Sequence, residues 1–261
     1  MVDVQSPDYP EVVDAREAYE ERYLSLFRPS LNIVQPGYTS LELNTTARNS
    51  PTFRRVLARR DAQPINVLSL SDSIGEGYGV TIDQRWINLV VEGLRSYYQP
   101  TTVIGGEGYV PGFYQAVTMT DRWTTVTGSP TDEGYGLGRR AKRLAADASI
   151  SLTFTGTGFQ LFYATASTGV LEYSLDGSGY TTVAGTGSAN TATTITNPNL
   201  SDSEHTLTVR SQTGGGNVWV HGAMIFRGDF ASGIRLWDGS KGGMTLENFI
   251  ENFDTWDQDL I

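Results

Sequence analysis

The 261-residue sequence predicts a mixed fold: a partial α/β domain with a parallel sheet, an all-β sandwich inserted into it, and an N-terminal helical arm. Three observations lead to this prediction. Residues 65–70 form an apolar run that ends in a glycine-rich turn and is followed by a helical pattern. From about Thr118 to about Phe226 the composition changes to Thr, Gly, Ser and alternating apolar residues. A second strand-like run then follows at residues 233–237.

Residues 1–60 are interpreted as an N-terminal helix and an extended docking arm. The helical pattern covers residues from about 10 to 28 and ends before Pro29, which cannot continue a helix. Its aromatic residues share one face at four-residue spacing: Tyr19, Tyr23 and Phe27. Because a helix this short is marginal alone, we expect this face to dock on the chain itself or on a partner.

Residues 61–117 are predicted to begin the α/β domain. Residues 67–70 indicate a short buried strand, and the apolar spacing of residues 86–94 suits a helix. Ser73 lies on the turn between them, at the carboxyl end of a strand and near a helix N-terminus. Ligands of open α/β sheets bind at such an edge, where backbone amides stabilise an oxyanion. Ser73 is therefore the first nucleophile candidate, and the alternative is a turn that only caps a helix.

Residues 118–228 are predicted to form an antiparallel β-sandwich of jelly-roll type. Five segments alternate with period two: 149–154, 159–163, 170–175, 206–209 and 218–220. Glycine-rich turns lie between or beside them, at 156–158, 176–179 and 214–216. Several short strands at ~8 to 12-residue spacing are typical of a sandwich.

Residues 229–261 are predicted to form the second part of the α/β domain. After the strand-like run, residues 238–245 form a loop, and an apolar pattern that begins at Thr245 predicts a helix through Phe253. Residues 256–261 look like the start of one further strand. A sheet of so few parallel strands would expose an unpaired edge. We therefore expect either that the sequence comes from a longer parent protein that was truncated, or that another chain covers this edge in a homo-oligomer.

The turn at Ser71-Asp72-Ser73-Ile74 resembles the first block of the SGNH (GDSL-type) esterase and lipase family, Gly-Asp-Ser-(Ile/Leu). Ser71 takes the place of the family's glycine. The resemblance implies a partial flavodoxin-like SGNH sheet. It also implies that Ser73 is the acylated nucleophile and that the Ser73 amide is part of the oxyanion hole.

A second stretch also resembles this family. Residues 238–245 are similar to its second block, with Gly-Met-Thr in place of Gly-Ala-Thr. The resemblance implies that Gly243 supplies the second oxyanion amide, and Gly106 and Gly108 are the weaker alternative.

The remaining blocks of the family are missing from the sequence. No Gly-x-Asn-Asp follows residue 245, and the Asp-x-x-His at residues 202–205 lies within the predicted sandwich. His221 lies in a predicted strand, where a packed side chain is expected. A general base in the usual arrangement is therefore missing. Whether the chain is an enzyme stays open: alone it is expected to be inactive, with the histidine and asparagine coming from absent sequence or another subunit.

The predicted sandwich resembles the carbohydrate-binding-like sandwich inserted into some SGNH acetyl-esterases of actinobacteria and their phages. The matching residues are 156–161, 175–177 and 205–209. The resemblance makes three aromatic residues candidates for stacking on sugar rings: Trp123, Tyr135 and Tyr180. The alternative is that these rings pack inside the protein.

Composition sets further bounds. The chain has 19 basic and 29 acidic residues and no cysteine, which argues against a nucleic-acid partner and excludes thiolate chemistry. No apolar run approaches the ~18 residues of a membrane span, so no membrane insertion is expected. No cofactor or metal is implied, although Asp176 and Asp202 in turns leave room for a structural calcium ion.

The overall layout resembles minor tail proteins of actinobacteriophages. The N-terminus is acidic and lacks a secretory signal pattern, yet a virion protein acts outside cells without one. The resemblance implies a virion tail location, tail-protein partners for the N-terminal arm, and a receptor-binding role that contacts or de-acylates host cell-surface glycans. Two alternatives remain: a non-catalytic structural or adhesive virion module, and a fragment of a bacterial carbohydrate esterase.

Overall fold

The computed structural model of the protein describes residues 55–188, 191–245 and 247. The predicted helices at residues 10–28 and beyond Thr245 therefore lie largely outside the described residues. The chain divides into two compact units, residues 1–58 and 59–261, and the fold given below is that of the second unit.

The predicted α/β class is wrong. Among the described residues the strands are mostly antiparallel, and parallel pairing is confined to a two-stranded ribbon of β1 (Pro64–Ser69) and β13 (Gly233–Asp238). A flavodoxin-like sheet has several parallel strands with helices on both faces. Here the two-stranded ribbon packs on a sandwich sheet instead, so its apolar residues are buried without further parallel strands.

The remaining strands form two antiparallel sheets. Their bounds are β2 (Gly108–Pro111), β3 (Trp123–Thr127), β4 (Thr131–Glu133), β5 (Ala141–Leu144), β6 (Ser149–Gly156), β7 (Gly158–Thr165), β8 (Leu171–Leu175), β9 (Thr181–Val183), β10 (Thr193–Asn197), β11 (Ser203–Ser211) and β12 (Val218–Phe226). The six-stranded sheet has the order β10-β7-β12-β5-β4, with β2 also paired to β12. The five-stranded sheet has the order β3-β6-β11-β8-β9.

The two antiparallel sheets pack face to face around one apolar core. In β6 the side chains alternate, so that Ile150 and Leu152 are buried while Thr153 is exposed. From the other sheet, Leu161 and Ile225 enter the same core. The period-two segments of the sequence therefore became strands because one face of each could be buried.

The outer face of the six-stranded sheet is covered by the two-stranded ribbon. Trp237 of β13 packs with Tyr109, Phe162 and Met224 of the sheet, and Leu68 of β1 joins them. The described fold thus has three layers, with the six-stranded sheet in the middle.

The described part of the chain contains one short and one longer α-helix. Helix α1 (Ser73–Glu76) follows β1, and α2 (Trp86–Tyr98) packs against β13. Arg95 of α2 donates to Ile234 O at 3.0 and 2.9 Å, while Gln99 Oε1 accepts from Ile234 N at 2.8 Å. Within the described residues, no helix has both the length and the apolar character needed to cross a bilayer.

Candidate active site

The loops that follow β1 and β13 meet at one edge of the ribbon because the two strands are parallel neighbours. Gly239 N donates to Ser69 O at 2.8 Å, and the hydroxyl groups of Ser69 and Ser240 lie 2.8 Å apart. One step further, Lys241 N donates to Ser71 O at 2.9 Å. Residues 69–71, which lead into Ser73, are therefore hydrogen-bonded to residues 239–241 of the loop after β13.

Ser73 is the first residue of α1, at the end of the strand-turn segment in which the sequence predicts it. Asp72 caps this helix, with Oδ1 accepting from Ile74 N at 3.0 Å. Ser73 is half-buried, and its hydroxyl makes no hydrogen bond to another described residue.

A single buried carboxylate ties the serine turn to two other segments. Glu76 is 0 % exposed, and its Oε1 and Oε2 accept from Gln115 N and Gly242 N, each at 2.6 Å. Arg140 Nη1 lies 3.4 Å from Glu76 Oε1 and balances the charge. Each carboxyl oxygen of Glu76 accepts from the backbone of a different segment, so Glu76 fixes the loop after β2 and the loop after β13 against α1.

Three side chains converge on Gly242. A Cβ built on this glycine would lie 3.1 Å from Glu76 Oε2, 3.4 Å from Gln115 Cγ and 3.7 Å from Ser73 Cβ. Gly242 therefore brings Ser73, Glu76 and Gln115 together around the space of about one methyl group.

A buried charge cluster is joined to Glu76 through Arg140. Arg85 Nη2 is 2.8 Å from Asp238 Oδ2, and Arg140 Nη2 is 3.4 Å from the same oxygen. Arg85 also donates to Gly75 O of α1, at 3.1 and 2.8 Å. Burial raises the pKa of Asp238, but the charges of Arg140 and Arg85 outweigh it and hold that pKa below its usual range. Asp238 is therefore ionised and anchors both arginines.

Two other titratable groups pack near this cluster. Burial, followed by the charge of Asp238, raises the pKa of Tyr114 to about 12, so its hydroxyl stays protonated. Burial and the charges of Arg139 and Arg140 lower the pKa of Lys241, whose Nζ donates to Arg139 O at 3.1 Å.

The two histidines of the sequence lie in different sheets of the sandwich. His205 lies in the five-stranded sheet, where Nδ1 is 2.7 Å from Asp176 Oδ2 and Nε2 is 2.9 Å from Ser201 O. The six-stranded sheet separates it from the ribbon that carries Ser73. His221 is 1 % exposed in β12, in close contact with Gly136.

The predicted oxyanion glycines have different surroundings. Gly243 is exposed with φ +76° and follows Gly242 directly, so its role as an oxyanion amide stays a prediction. Gly106 N donates to Asp229 Oδ2 at 3.0 Å, and Gly106 lines a cavity of about 410 Å³ whose lining does not include Ser73. Gly108, with φ +89°, begins β2 against the backbone of β13.

The three candidate sugar-stacking rings occupy unlike positions. Trp123 is 2 % exposed in the sandwich core and offers no open ring face. Tyr135 is half-buried and meets Trp219 edge to face at 5.9 Å. Tyr180 is 40 % exposed, with the Arg210 guanidinium 3.6 Å from its ring centroid.

The two turn aspartates are bonded to protein groups. Asp176 accepts from Thr206 N at 2.7 Å as well as binding His205, and Asp202 pairs with Arg227 at 2.8 Å. Across residues 55–188, 191–245 and 247, no group of three or more His, Cys, Asp or Glu side chains is arranged to hold a metal ion.

Sequence reasoning missed most of the groups around Ser73. They are Glu76, Arg85, Gln115, Arg140, Asp238 and Gly242. Of these residues, only Glu76 lies close to Ser73 in the sequence, three positions after it in the same turn. The others come from distant segments: Arg85 and Asp238 are 153 residues apart in the chain.

Comparisons with known proteins indicate the fold but no family. No family model matches the chain, and no curated protein sequence matches it. A solved peptidoglycan O-acetylesterase is similar in structure, with 15 % identity and a TM-score of 0.51 over 76 % of this chain and 52 % of that chain. The chain thus spans about half the length of that esterase.

Two further neighbours match over smaller parts. A two-domain esterase active on acetylated mannans has 12 % identity and a TM-score of 0.35, covering 54 % of this chain and 44 % of its own. A family two carbohydrate esterase from Cellvibrio japonicus has 11 % identity and a TM-score of 0.33, covering 41 % and 31 %. Of these three neighbours, the peptidoglycan O-acetylesterase has a TM-score above 0.5, and it indicates a shared fold.

Proposed function

We propose that this chain carries a serine-esterase site of SGNH type that contacts or de-acylates host cell-surface glycans. One observation carries the proposal: Ser73 follows β1 on the turn into α1, and Ser73, Glu76 and Gln115 lie together around Gly242 of the loop after β13. The esterase-like fold shared with a peptidoglycan O-acetylesterase supports it. A virion tail location, with tail-protein partners for the N-terminal arm and a homo-oligomeric assembly, belongs to the same proposal and rests on the sequence layout.

The reaction would be acyl transfer through Ser73. Its Oγ attacks the ester carbonyl, a base takes the hydroxyl proton, and the sugar alcohol leaves with a proton as the acyl-serine forms. The amides of Ser73 and Gly243 hold the oxyanion, and water then releases the acyl group as a carboxylic acid. Glu76 acts as a positioning residue, because it fixes the Gly242 amide next to α1.

The base would come from outside this sequence. The chain contains two histidines: His205 is hydrogen-bonded to Asp176 in the five-stranded sheet, and His221 is buried in β12. A histidine from another polypeptide would therefore complete the site. The same observation favours the second candidate function, a non-catalytic glycan-binding or structural module in which Ser73 is a relic.

The first experiment labels the full chain with a fluorophosphonate, in buffers with and without imidazole as an exchangeable base, and reads the adduct by intact mass. We expect one adduct on the wild type, formed faster with imidazole, and no adduct on Ser73→Ala. Hydrolysis of 4-nitrophenyl acetate is corrected for the reaction with imidazole alone. It should then be faster with imidazole than without it for the wild type, and absent for Ser73→Ala. A folded wild type that forms no adduct in either buffer would contradict the esterase site and support the non-catalytic module.

A further inference from the structure

We propose that a cavity lined by α2, the segment before β2 and the sandwich binds a neutral sugar unit. The cavity has a volume of about 410 Å³, and small-molecule sites have volumes of roughly 300–1,000 Å³. Its lining does not include Ser73. The inference therefore goes beyond the proposed esterase site and does not require the serine to react.

The walls of this cavity come from different layers of the fold and are tied together. Arg95 of α2 donates to Ile234 O of β13 at 3.0 and 2.9 Å, and to Gly106 O at 2.8 Å. Gly106 N in turn donates to Asp229 Oδ2 at 3.0 Å. The cavity is therefore preformed, so that a ligand does not have to order its walls on binding.

The charges around the cavity are balanced. Each described arginine of its lining forms an ion pair with a carboxylate: Arg95 with Glu92, Arg122 with Glu107, and Arg227 with Asp202. Asp83 also lies in the lining, and it is exposed to solvent. Because the positive charge already has partners, an anionic ligand would bring a charge without one. The pairing favours a ligand that carries no net charge.

Polar groups with spare hydrogen-bonding capacity remain on the walls. Arg227 uses Nε and Nη2 for Asp202, and its Nη1 donates to no described residue. Asn88 Oδ1 is shielded from solvent and accepts no hydrogen bond within the described part of the chain. The terminal torsion of Asn is broad, so a rotation turns this oxygen toward a donor in the cavity. A hydroxyl group suits both wall groups, because it donates one hydrogen bond and accepts others.

Apolar side chains complete the match to a sugar. Val91 of α2 and Leu236 of β13 line the same cavity as the polar groups. A sugar ring carries C–H groups on its faces and hydroxyls around its rim. Its faces therefore pack on the apolar wall while its hydroxyls bond to the polar groups. Neither a small ion nor a wholly apolar ligand uses both kinds of wall.

The test titrates the full chain, with isotope-labelled methyl groups, with the methyl glycosides of glucose, galactose, mannose and N-acetylglucosamine. We expect at least one glycoside to shift the methyl resonances of Val91 and Leu236 in NMR spectra, because both side chains line the cavity. Methyl glucuronide, which adds a carboxylate to the glucose ring, should bind more weakly than the neutral glycoside that binds best.

Two substitutions test the polar wall. Asn88→Leu and Thr155→Val each remove one hydrogen-bonding group from the lining, and each should weaken binding of that glycoside about 10-fold. The matched control is Thr153→Val, on the same exposed face of β6 but outside the lining, and it should bind like the wild type. Melting temperatures of the three variants show whether they are folded.

Three outcomes would overturn this inference. They are no shift of either methyl resonance with any of the four glycosides, wild-type affinity in both Asn88→Leu and Thr155→Val, and tighter binding of the glucuronide than of every neutral glycoside. Ser73→Ala should bind the glycoside like the wild type. A failure of fluorophosphonate labelling therefore leaves this inference standing, and a failure of glycoside binding leaves the esterase site standing.

Discussion

At the residue scale, burial and partners decide what each charged group can do. Glu76 is fully buried and has two backbone amides and Arg140 as partners, so its charge is compensated by hydrogen bonds. His205, on the far sheet, is engaged with Asp176 in a similar way. The first group organises the loops around Ser73, whereas the second joins a hairpin turn to β11.

The His205–Asp176 pair predicts a pH-dependent stability. Both ring nitrogens of His205 face acceptors, Asp176 Oδ2 and Ser201 O, so the doubly protonated ring fits best. Burial lowers the pKa of His205, but its bonds to Asp176 and Ser201 outweigh this and raise that pKa. Because the folded pKa is raised, the stabilisation is complete below the unfolded value of about 6.5 and is lost as the pH rises through the folded value.

At low pH, protonation of Asp176 limits the stabilisation that the pair provides. Its hydrogen bond with His205 lowers the pKa of Asp176, so that contribution is lost as the pH falls through the lowered folded value. In urea unfolding, we expect the stability difference between wild type and Asp176→Asn to be largest near pH ~5.5 and to shrink by pH ~9. A difference that stays constant across this range would show that the pair does not titrate as the geometry implies.

At the element scale, glycines allow the segment that leads into β2 to approach its neighbours. A Cβ on Gly106 would lie 2.0 Å from Ile225 O, and one on Gly108 would lie 2.7 Å from Leu236 O. The obstructing atoms are backbone and cannot move aside cheaply. Close approach, rather than oxyanion binding, is therefore a sufficient physical reason for glycine at both positions.

Gly106→Ala is expected to destabilise the fold by roughly 1–3 kcal/mol or more, because overpacking forces β2 or β12 to shift. The matched control is Gly179→Ala, where an added Cβ meets no atom within 4 Å. Urea unfolding followed by circular dichroism measures both. Equal stability of the two variants would mean that the loop at Gly106 adjusts without cost.

At the scale of the whole molecule, Trp237 links the ribbon to the sandwich. Its ring stacks on Tyr109 at 5.8 Å between centroids and meets Phe162 edge to face at 5.5 Å. The two strands of the ribbon bracket the sandwich in sequence, since β1 precedes it and β13 follows it. The three layers should therefore unfold together.

Trp237→Ala is expected to lower the free energy of unfolding by about 3–5 kcal/mol, because it removes a large buried ring between two layers. Trp86→Ala, at a ring that is 37 % exposed, should cost far less. The measurement is urea unfolding of both variants by circular dichroism and tryptophan fluorescence. Two separate transitions in the wild type would contradict cooperative unfolding of the ribbon and the sandwich.

The sequence by itself determined the strands that have a clear apolar pattern and the local position of the candidate nucleophile, but not the short strands β2, β3, β4, β5, β9 and β10. Alternation such as Ile150, Leu152 and Phe154 in β6 specifies a half-buried strand without any knowledge of its partners. The apolar run and its turn likewise specified β1 and, after it, Ser73. These features depend on neighbours within a few residues, so local chemistry is enough.

Only the tertiary structure decided what the strands assemble into and what surrounds the serine. An apolar run such as β1 suits a large parallel sheet as well as a two-stranded ribbon, and the choice depends on β13 and the covering sheet. Trp123 and Tyr180 were equal candidates for sugar stacking in the sequence, but the fold buries Trp123 and exposes Tyr180. The hydrogen bond from Gly242 N to Glu76 Oε2 joins residues 166 positions apart in the sequence. No local sequence pattern encodes a contact between such distant segments.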